Sequence, residues 1–321
     1  MKTTHSMTRR LAIACAAAFL ALGATSKVAP QKFDSPEAAA DALLNAAKTS
    51  DNKALWAVFG SGAEGVIGSG DPVADQNTRD DFVTSYGAKH SIERDGDTKA
   101  VLVYGDDDFP FPVPIVKHGD KWSFDVEAGK EEILARRVGR NELAAIQVCL
   151  AYVDAQREYA SVDRNNDGLF EYAQKLISSP GQHDGLYWPT QDGEPPSPVG
   201  ELVANARSEG YSIKGGGREP YHGYLYKSLK RQGKNAPGGA YDYIVRGHQI
   251  GGYALVAYPA QYRNSGIMTF VVNHDGAVYS KDLGPNTAKV ASAMTSFDPD
   301  KTWKKEEDLS SGSEAPAPPS Q

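Results

Sequence analysis

The last third of the chain carries the clearest pattern of apolar and polar positions. Three short runs rich in β-branched and aromatic residues span 253–258 (YALVAY), 268–272 (MTFVV) and 277–280 (AVYS). Such runs predict β-strands, and Asp275-Gly276 supplies a tight turn between the second and the third. Because sequential strands joined by short turns usually pair antiparallel, the pattern predicts a three-stranded antiparallel sheet.

A long amphipathic helix is predicted over residues 131–162, ahead of this sheet. Leu143, Ile146, Leu150 and Val153 recur at spacings of three, four and three residues. That spacing places the four side chains on one side of a helix, which suits packing against a sheet.

The N-terminal part of the chain predicts helices followed by strands. Ser35-Pro36-Glu37 is typical of a helix start, because a capping hydroxyl precedes a proline and an acid. This helix is predicted to reach about Ser50, and a second covers residues 53–59 before a Gly/Ser-rich loop. Predicted strands then cover 99–104, 111–117 and 121–126. The last two form a hairpin through His118-Gly119-Asp120.

The segments between and after these elements have weaker patterns. A polar turn at 163–168 is followed by a predicted short helix that reaches Ile177. Residues 179–220 then form a long Gly/Pro-rich tract, and tracts of this length are usually functional or loosely ordered. From residue 304 the tail is charged and then rich in Ser, Pro and Ala, which predicts disorder.

Together these elements predict an α+β protein with two domains, at residues 27–130 and 131–303. The length of 321 residues agrees with a typical domain size of about 150. The first domain, with helices and then a curved antiparallel sheet, resembles the cone-shaped nuclear-transport-factor-like fold. The second, with one long helix on an antiparallel sheet, resembles the globular heads of type IV pilins and pseudopilins.

Residues 1–26 have the three-part build of a secretory signal peptide. Basic residues precede an uninterrupted apolar run at 11–22, which is too short to span a bilayer, and small residues follow. Cleavage is predicted near Ser26, which would leave a periplasmic or secreted chain without a transmembrane segment. Arg9-Arg10 lacks the bulky residues of a twin-arginine signal behind it, which favours Sec export without deciding between the two routes.

Charge and cysteine content narrow the expected partners. The formal charge is −7, and loss of the leader would remove three cations and no acid, giving −10. Because there is no global basic field, nucleic acid is not an expected partner, and a protein or cell-envelope component is favoured.

Cys149 is the only cysteine after the leader, and its place on the predicted helix favours a buried apolar role over a catalytic thiol.

The strongest candidate site is the segment DRNNDGLFE at 163–171, which resembles an EF-hand calcium loop. Gly168 would allow the sharp turn at loop position 6, and Gln174 stands at position 12, where a bidentate Glu belongs. Without this Glu the loop is predicted to bind Ca²⁺ more weakly than an EF-hand does. The alternative interpretation of the same residues is an Asx-rich turn that joins two structural elements and binds no metal. The oxygen donors at positions 1, 3, 5, 7 and 9 would be Asp163, Asn165, Asp167, the Leu169 carbonyl and Glu171.

A second candidate is a patch of aromatic and imidazole side chains that would bind a sugar ring or a peptide, or hold a general base. Aromatics at every second position are also typical of strand packing, so both interpretations stay open. The patch consists of Tyr221, His222, Tyr224 and His248.

Two clusters of charged residues, at 106–108 and at Arg136, Arg137 and Arg140, are interpreted as ordinary solvated surface.

Six segments of the chain resemble the bacterial family called domain of unknown function 2950. They are FPFPVPIVK at 109–117, WSFDVEAGKEEILARRVGRNELAAI at 122–146, DGLYWP at 184–189, GGYALVAYPA at 251–260, SGIMTFVVNHDGAVYSKDLG at 265–284 and FDPDKTW at 297–303. The resemblance implies an exported, envelope-type protein and assigns no activity.

No sequence signature of catalysis supports an enzyme. The chain has no G-x-S-x-G, P-loop or H-E-x-x-H motif, so no catalytic or cofactor-binding residue is predicted. The preferred hypothesis is a non-enzymatic binding module with a calcium-stiffened loop. The alternative is an exported hydrolase or small-ligand enzyme that uses a pocket near His222 and His248. The sequence does not indicate the oligomeric state of the protein.

Overall fold

The computed structural model describes residues 28–49, 51–191, 193–212 and 219–306. The predicted signal peptide lies outside the described residues, and so does the part of the predicted disordered tail that follows residue 306. Seven α-helices are present in this part of the chain: α1 (Pro36–Ala47), α2 (Asn52–Phe59), α3 (Glu64–Ile67), α4 (Pro72–Ala88), α5 (Val126–Tyr159), α6 (Gly200–Ser208) and α7 (Thr287–Ala293).

Seventeen short strands accompany the helices in the described residues, which confirms the α+β class. In the first half they are β1 (His90–Asp95), β2 (Lys99–Tyr104), β3 (Phe109–Pro110), β4 (Ile115–His118) and β5 (Lys121–Phe124). In the second half they are β6 (Lys175–Ile177), β7 (Gly185–Tyr187), β8 (Tyr224–Leu229), β9 (Arg231–Gln232), β10 (Tyr241–Asp242), β11 (Ile244–Val245), β12 (His248–Gln249), β13 (Ala254–Pro259), β14 (Met268–Asn273), β15 (Val278–Asp282), β16 (Ser296–Phe297) and β17 (Lys304–Lys305).

The N-terminal lobe consists of α1–α4 and the sheet β1–β5. The Ser35 side chain accepts a hydrogen bond from the Ala38 amide and Pro36 opens α1, as the sequence predicts. The sheet has the order β1-β2-β4-β5, and the β4–β5 hairpin turns through Gly119-Asp120. The helices and the sheet close over one apolar core, whose buried members include Leu43, Phe59, Leu102, Ile115 and Phe124.

The sequence pattern does not predict α4 and β1, because neither has an apolar stripe. In α4 only Phe82 and Tyr86 are buried along 17 residues, and β1 is exposed at five of its six positions. The start of α4 did carry a signal, since the Asp71 side chain accepts from the Ala74 amide and Pro72 follows it. A start signal without a following stripe was not enough to predict this helix.

The C-terminal lobe consists of β6–β17, α6 and α7, and its main sheet is larger than predicted. The three predicted strands are β13, β14 and β15, joined antiparallel, and β8 and β17 extend them to the order β17-β15-β14-β13-β8. The predicted disordered tail therefore begins too early, because Lys304 and Lys305 pair with Ser280 and Tyr279 of β15. The second half of α5 packs across this sheet, and Ile146, Cys149 and Val153 enter its core.

Two further sequence predictions are wrong. Leu143 is 56% exposed instead of facing the sheet, because this section of α5 turns the buried side chain of Asn141 inward. The predicted short helix ending at Ile177 is the strand β6, which pairs with β7. The backbone amides of Tyr172 and Ala173 are bonded to the Gln249 carbonyl and the Gln156 side chain, and these long-range bonds hold the chain ahead of β6.

Helix α5 belongs to both lobes, since Val126 lies in the N-terminal core and Ile146 in the C-terminal core. The predicted domain boundary at residues 130–131 falls within this helix, and the division into two domains stays a prediction. No helix of the described residues is both long enough and apolar enough to cross a bilayer.

Close packing of α5 on the N-terminal lobe predicts opposite effects of alanine at two helical glycines. A Cβ atom at Gly129 would lie 2.6 Å from the Pro112 carbonyl oxygen and the Val113 Cα atom, whereas a Cβ atom at Gly139 meets nothing within 4 Å. Gly129→Ala should lower the free energy of unfolding by about 1–3 kcal/mol. Gly139→Ala, the matched control, should raise it by about 0.5–1 kcal/mol through helix propensity. Chemical denaturation measures both, and equal effects would contradict this packing.

Candidate functional site

The loop predicted to bind calcium is held in a tight turn by its own polar side chains. The Gly168 amide donates to Asp163 Oδ2 at 2.9 Å, and the Leu169 amide donates to Asp167 Oδ1 at 2.9 Å. Asn166 and Gly168 have φ values of 57° and 87°, in the left-handed region that Asn and Gly tolerate. The loop thus adopts the Asx-rich turn of the sequence analysis and ends in extended chain, not in a helix.

Two carboxylates of this loop meet an imidazole from a distant hairpin. His248 Nδ1 lies 3.5 Å from Asp167 Oδ2 and 3.3 Å from Glu171 Oε2. One potential ligand atom from each of these three residues lies within 4.8 Å of the others. The Asn165 amide nitrogen bridges Asp167 Oδ2 and Glu171 Oε1 at 2.9 Å each. We call Asp167, Glu171 and His248 the Asp167 cluster.

Local geometry explains how His248 reaches this loop. Strands β11 and β12 pair through a two-residue turn at Arg246-Gly247, and both turn residues have the positive φ that such turns require. The Gln174 side chain donates to the Gly247 carbonyl at 2.6 Å, which ties the hairpin to the chain after the loop. Gln174 is thereby engaged in a structural bond at the position where a calcium loop places its bidentate Glu.

The donors of the Asp167 cluster fit a divalent cation. Asp163 Oδ1 is buried and has no hydrogen-bond partner among the described residues. Carboxylate oxygens suit Ca²⁺, whereas imidazole nitrogen is a ligand that Zn²⁺ and other first-row transition metals prefer. Of the donors predicted from sequence, Asp167 and Glu171 each place an oxygen within 4.8 Å of the other, the Asn165 amide nitrogen bonds both, and the Leu169 side chain is exposed.

The residues of the predicted aromatic patch do not converge on one site. Tyr224 is fully buried, and its hydroxyl donates to the Met268 carbonyl at 2.9 Å, so it is a core residue. His222 lies 3.5 Å from Glu209, and Tyr221 packs edge-on against Tyr211. His248 belongs to the Asp167 cluster instead. The two histidines therefore have different partners.

A cavity of about 200 Å³ lies beside Tyr221, between α5, α6 and the strands β6–β8 and β13. We call it the tyrosine-lined cavity. Its walls are predominantly apolar, and the polar lining residues Ser212 and Glu219 are exposed. The aliphatic walls include Val148, Leu176, Leu186, Val199, Leu202 and Val203, and the aromatic walls are Tyr152, Tyr187, Tyr211, Tyr221 and Tyr226.

Three tyrosine hydroxyls of the cavity donate to acceptors of the protein itself. The Tyr211 hydroxyl donates to Asp71 Oδ2 at 2.9 Å, that of Tyr152 to the Ala254 carbonyl at 3.3 Å, and that of Tyr226 to the Tyr221 carbonyl at 3.4 Å. Burial raises the pKa of all three phenols above their ordinary value, and Asp71 adds to this effect at Tyr211. These groups stay protonated at neutral pH and cannot act as bases there.

The remaining candidates have structural roles. Burial raises the pKa of the Cys149 thiol to about 12, so the reactive thiolate is suppressed. Arg136 pairs with Glu132 on the surface of α5, and Asp108 pairs with Lys89 at 2.7 Å. Arg137 is turned inward, and its Nη1 atom donates to the Gly65 carbonyl and to Asn264 Oδ1, both at 2.7 Å.

The sequence pattern does not predict the tyrosine-lined cavity, because more than half of its lining residues come from the Gly/Pro-rich tract at 179–220. That tract contains β7 and α6, and α6 begins without a side-chain cap. The available signal was the apolar content of LVANA at 202–206 in otherwise polar surroundings. A nine-residue helix with two buried residues, Val203 and Ala206, gives only a short periodic pattern.

Comparisons with known proteins identify the family of this chain but no individual relative. No curated protein and no solved structure matches the chain significantly. The likenesses to pilin heads and to the nuclear-transport-factor-like fold therefore stay predictions. The model of one family, described as "Protein of unknown function (DUF2950)", matches residues 30–306, nearly all of the described chain. The resemblance inferred from the sequence segments is thus confirmed, and the chain belongs to the DUF2950 family.

Proposed function

We propose that the protein is a non-enzymatic binding module whose ligand occupies the tyrosine-lined cavity. The observation that carries this proposal is an apolar pocket of about 200 Å³ between α5, α6 and the strands of the C-terminal lobe, partly open at Ser212 and Glu219. An apolar cavity of about 150 Å³ already binds benzene in another protein. A pocket of this size and lining therefore favours an apolar ligand.

The lining defines the class of ligand. Aliphatic side chains and tyrosine rings offer dispersion contacts, whereas three of the hydroxyls are engaged within the protein. The best fit is a small aromatic molecule, or the short acyl or aromatic end of a larger envelope component. The hydrolase alternative needs two reactive groups at one concave site, and the separate partners of His222 and His248 do not support it.

Filling the cavity should abolish binding without unfolding the protein. In a chain of residues 27–306, Val203→Phe places a ring in the cavity, and Val290→Phe on the exposed face of α7 is the matched control. Isothermal titration with indole and butylbenzene should show binding to the wild type and to Val290→Phe. Val203→Phe should bind at least tenfold more weakly while keeping its circular dichroism spectrum. Equal binding by both variants would refute this site.

We propose in addition that the Asp167 cluster holds a divalent cation, with Asp163, the Leu169 carbonyl and, after rotation of its amide, the Asn165 oxygen as further ligands. The sequence predicts Ca²⁺ here, and the imidazole in the donor set favours Zn²⁺ over it. A cation between these three side chains would join the loop to the β11–β12 hairpin and stiffen both. The role is structural, which agrees with a binding module.

Metal binding should raise the melting temperature of the native protein, because a ligand stabilises the state that it binds. Zn²⁺ should stabilise the wild type and His118→Ala, an exposed-histidine control in the β4–β5 hairpin, relative to the chelated protein. His248→Ala should lose this shift. If Ca²⁺ stabilises the wild type and His248→Ala alike, the cation is calcium on oxygen ligands alone. Unchanged melting with both metals would end the proposal.

We propose further that the protein acts in the cell envelope after export and binds a protein or envelope component there. The support is the basic, apolar and small-residue sequence of residues 1–26 and the net negative charge, which disfavours nucleic acid as a partner.

Export predicts a processed N-terminus outside the cytosol. Expression of the full chain in a bacterial host, followed by fractionation and N-terminal sequencing, should give a periplasmic or secreted product that starts near Ser26. Phe19→Asp, which breaks the apolar run, should leave the unprocessed chain in the cytosol, whereas Phe170→Asp at an exposed loop position should not. Cytosolic wild-type protein with Met1 retained would contradict export.

A further inference from the structure

A second concave site lies between the lobes, where α2, α3 and α5 meet the loop at 261–264 that follows β13. This interlobe cleft has a volume of about 430 Å³ and lies apart from the tyrosine-lined cavity, with which it shares no lining residue. Clefts between packed units are common positions for ligand sites. Its polar and aromatic walls include Asn52, Trp56, Glu64, Lys130, Gln261 and Arg263.

Hydrogen bonds connect the two sides of the interlobe cleft at its floor. Arg137 Nη1 donates to the Gly65 carbonyl and to Asn264 Oδ1 at 2.7 Å, so the guanidinium ties the chain at α3 to the loop at 261–264. The Asn264 amide nitrogen in turn donates to the Gly68 carbonyl at 3.1 Å and to Gln261 Oε1 at 2.7 Å. These bonds hold both walls in place before any ligand arrives, which lowers the entropic cost of binding.

The walls carry an excess of positive charge in an acidic protein. Lys130 and Arg263 line the cleft, and neither has a carboxylate within 4.0 Å among the described residues. Glu64 is the one acid of the lining. Because the chain as a whole has a formal charge of −7, two cations at one cleft are a local reversal of sign.

The backbone of the loop presents Arg263 in an unusual conformation. Its φ is 64°, in the left-handed region that non-glycine residues rarely adopt, and its amide donates to the Gly266 carbonyl at 2.8 Å. The guanidinium lies over the Tyr262 ring, 5.6 Å from its centroid. The bond to Gly266 maintains this conformation and fixes the backbone from which the Arg263 side chain projects.

We propose that the interlobe cleft is a binding site for a small acidic sugar, a ring that bears a carboxylate. Lys130 and Arg263 would bind the carboxylate, with Arg263 held over the Tyr262 ring, the face of Trp56 would contact the sugar ring, and Asn52, Gln261 and Glu64 would bond its hydroxyl groups. This assignment uses all three features of the lining: cations, aromatic rings and polar side chains. It does not depend on the occupant of the tyrosine-lined cavity.

The test titrates three probes into the chain of residues 27–306 by calorimetry. Glucuronate should bind, and glucose and acetate should each bind at least tenfold more weakly, because one lacks the charge and the other lacks the ring. Binding should weaken with added salt, since the cations are accessible. Acetate that binds as well as glucuronate would overturn the sugar assignment, and absence of glucuronate binding would overturn the site.

Variants locate the binding within the cleft. Arg263→Asn removes the charge and keeps a residue that tolerates positive φ, and Lys130→Gln removes the charge within α5. Each should weaken glucuronate binding at least fivefold, whereas Lys289→Gln, at an exposed helical position in α7, should leave it unchanged. Val203→Phe, which fills the other cavity, should also leave it unchanged. Loss of binding in Lys289→Gln, or full binding in Arg263→Asn, would refute the site.

Discussion

Asp71 is the buried charge around which the two lobes are assembled. It is 1% exposed, and a carboxylate in that position is tolerated only when donors replace the lost water. The Ala74 amide within α4, the Tyr211 hydroxyl and the Gly223 amide supply them, at 3.1, 2.9 and 3.0 Å. One side chain therefore caps a helix of the N-terminal lobe, orients a wall of the tyrosine-lined cavity and fixes the turn before β8.

Helix α5 supplements this contact with a ladder of polar side chains. Arg137 and Asn141, one turn apart, bond the backbone or side chains of the segment at 264–265, and Glu142 accepts from the amides of Ile267 and Met268 at 2.9 Å. Polar contacts of this kind require directional geometry, unlike apolar packing. They explain why a helix with few apolar positions in its middle still holds both lobes in one arrangement.

Sequence patterns predicted those parts of the fold in which local and tertiary preferences agree. Ser35-Pro36 precedes an apolar stripe and predicts α1, whereas Asp71-Pro72 precedes a polar helix, so the start signal has no periodic pattern behind it. Leu143 was placed on the sheet side by extension of the stripe, because the sequence cannot show that the middle of α5 faces a polar loop. The strands β13–β15 are predictable because their runs of β-branched and aromatic residues are mostly buried and a short turn joins β14 to β15.

The candidate sites were predictable only as far as they are local. The sequence at 163–171 shows the carboxylates of the candidate metal site. It does not show that His248 lies beside them, because a hydrogen bond from the Tyr172 amide to the Gln249 carbonyl, 77 positions later in the chain, brings the two segments together. The tyrosine-lined cavity and the interlobe cleft are gaps between elements distant in sequence. Gaps of this kind follow from packing, which local periodicity does not encode.

The continuity of α5 has a consequence for the order in which the molecule folds. The Tyr152 hydroxyl donates to a carbonyl 102 residues further along the chain, so the second half of the helix waits for its sheet while the first half already has its partners. Any state in which only the N-terminal lobe has formed therefore leaves the apolar stripe at Ile146, Cys149 and Val153 uncovered, and β13–β15 cover it when they pair. The two lobes thus fold as coupled units, although each has an apolar core of its own.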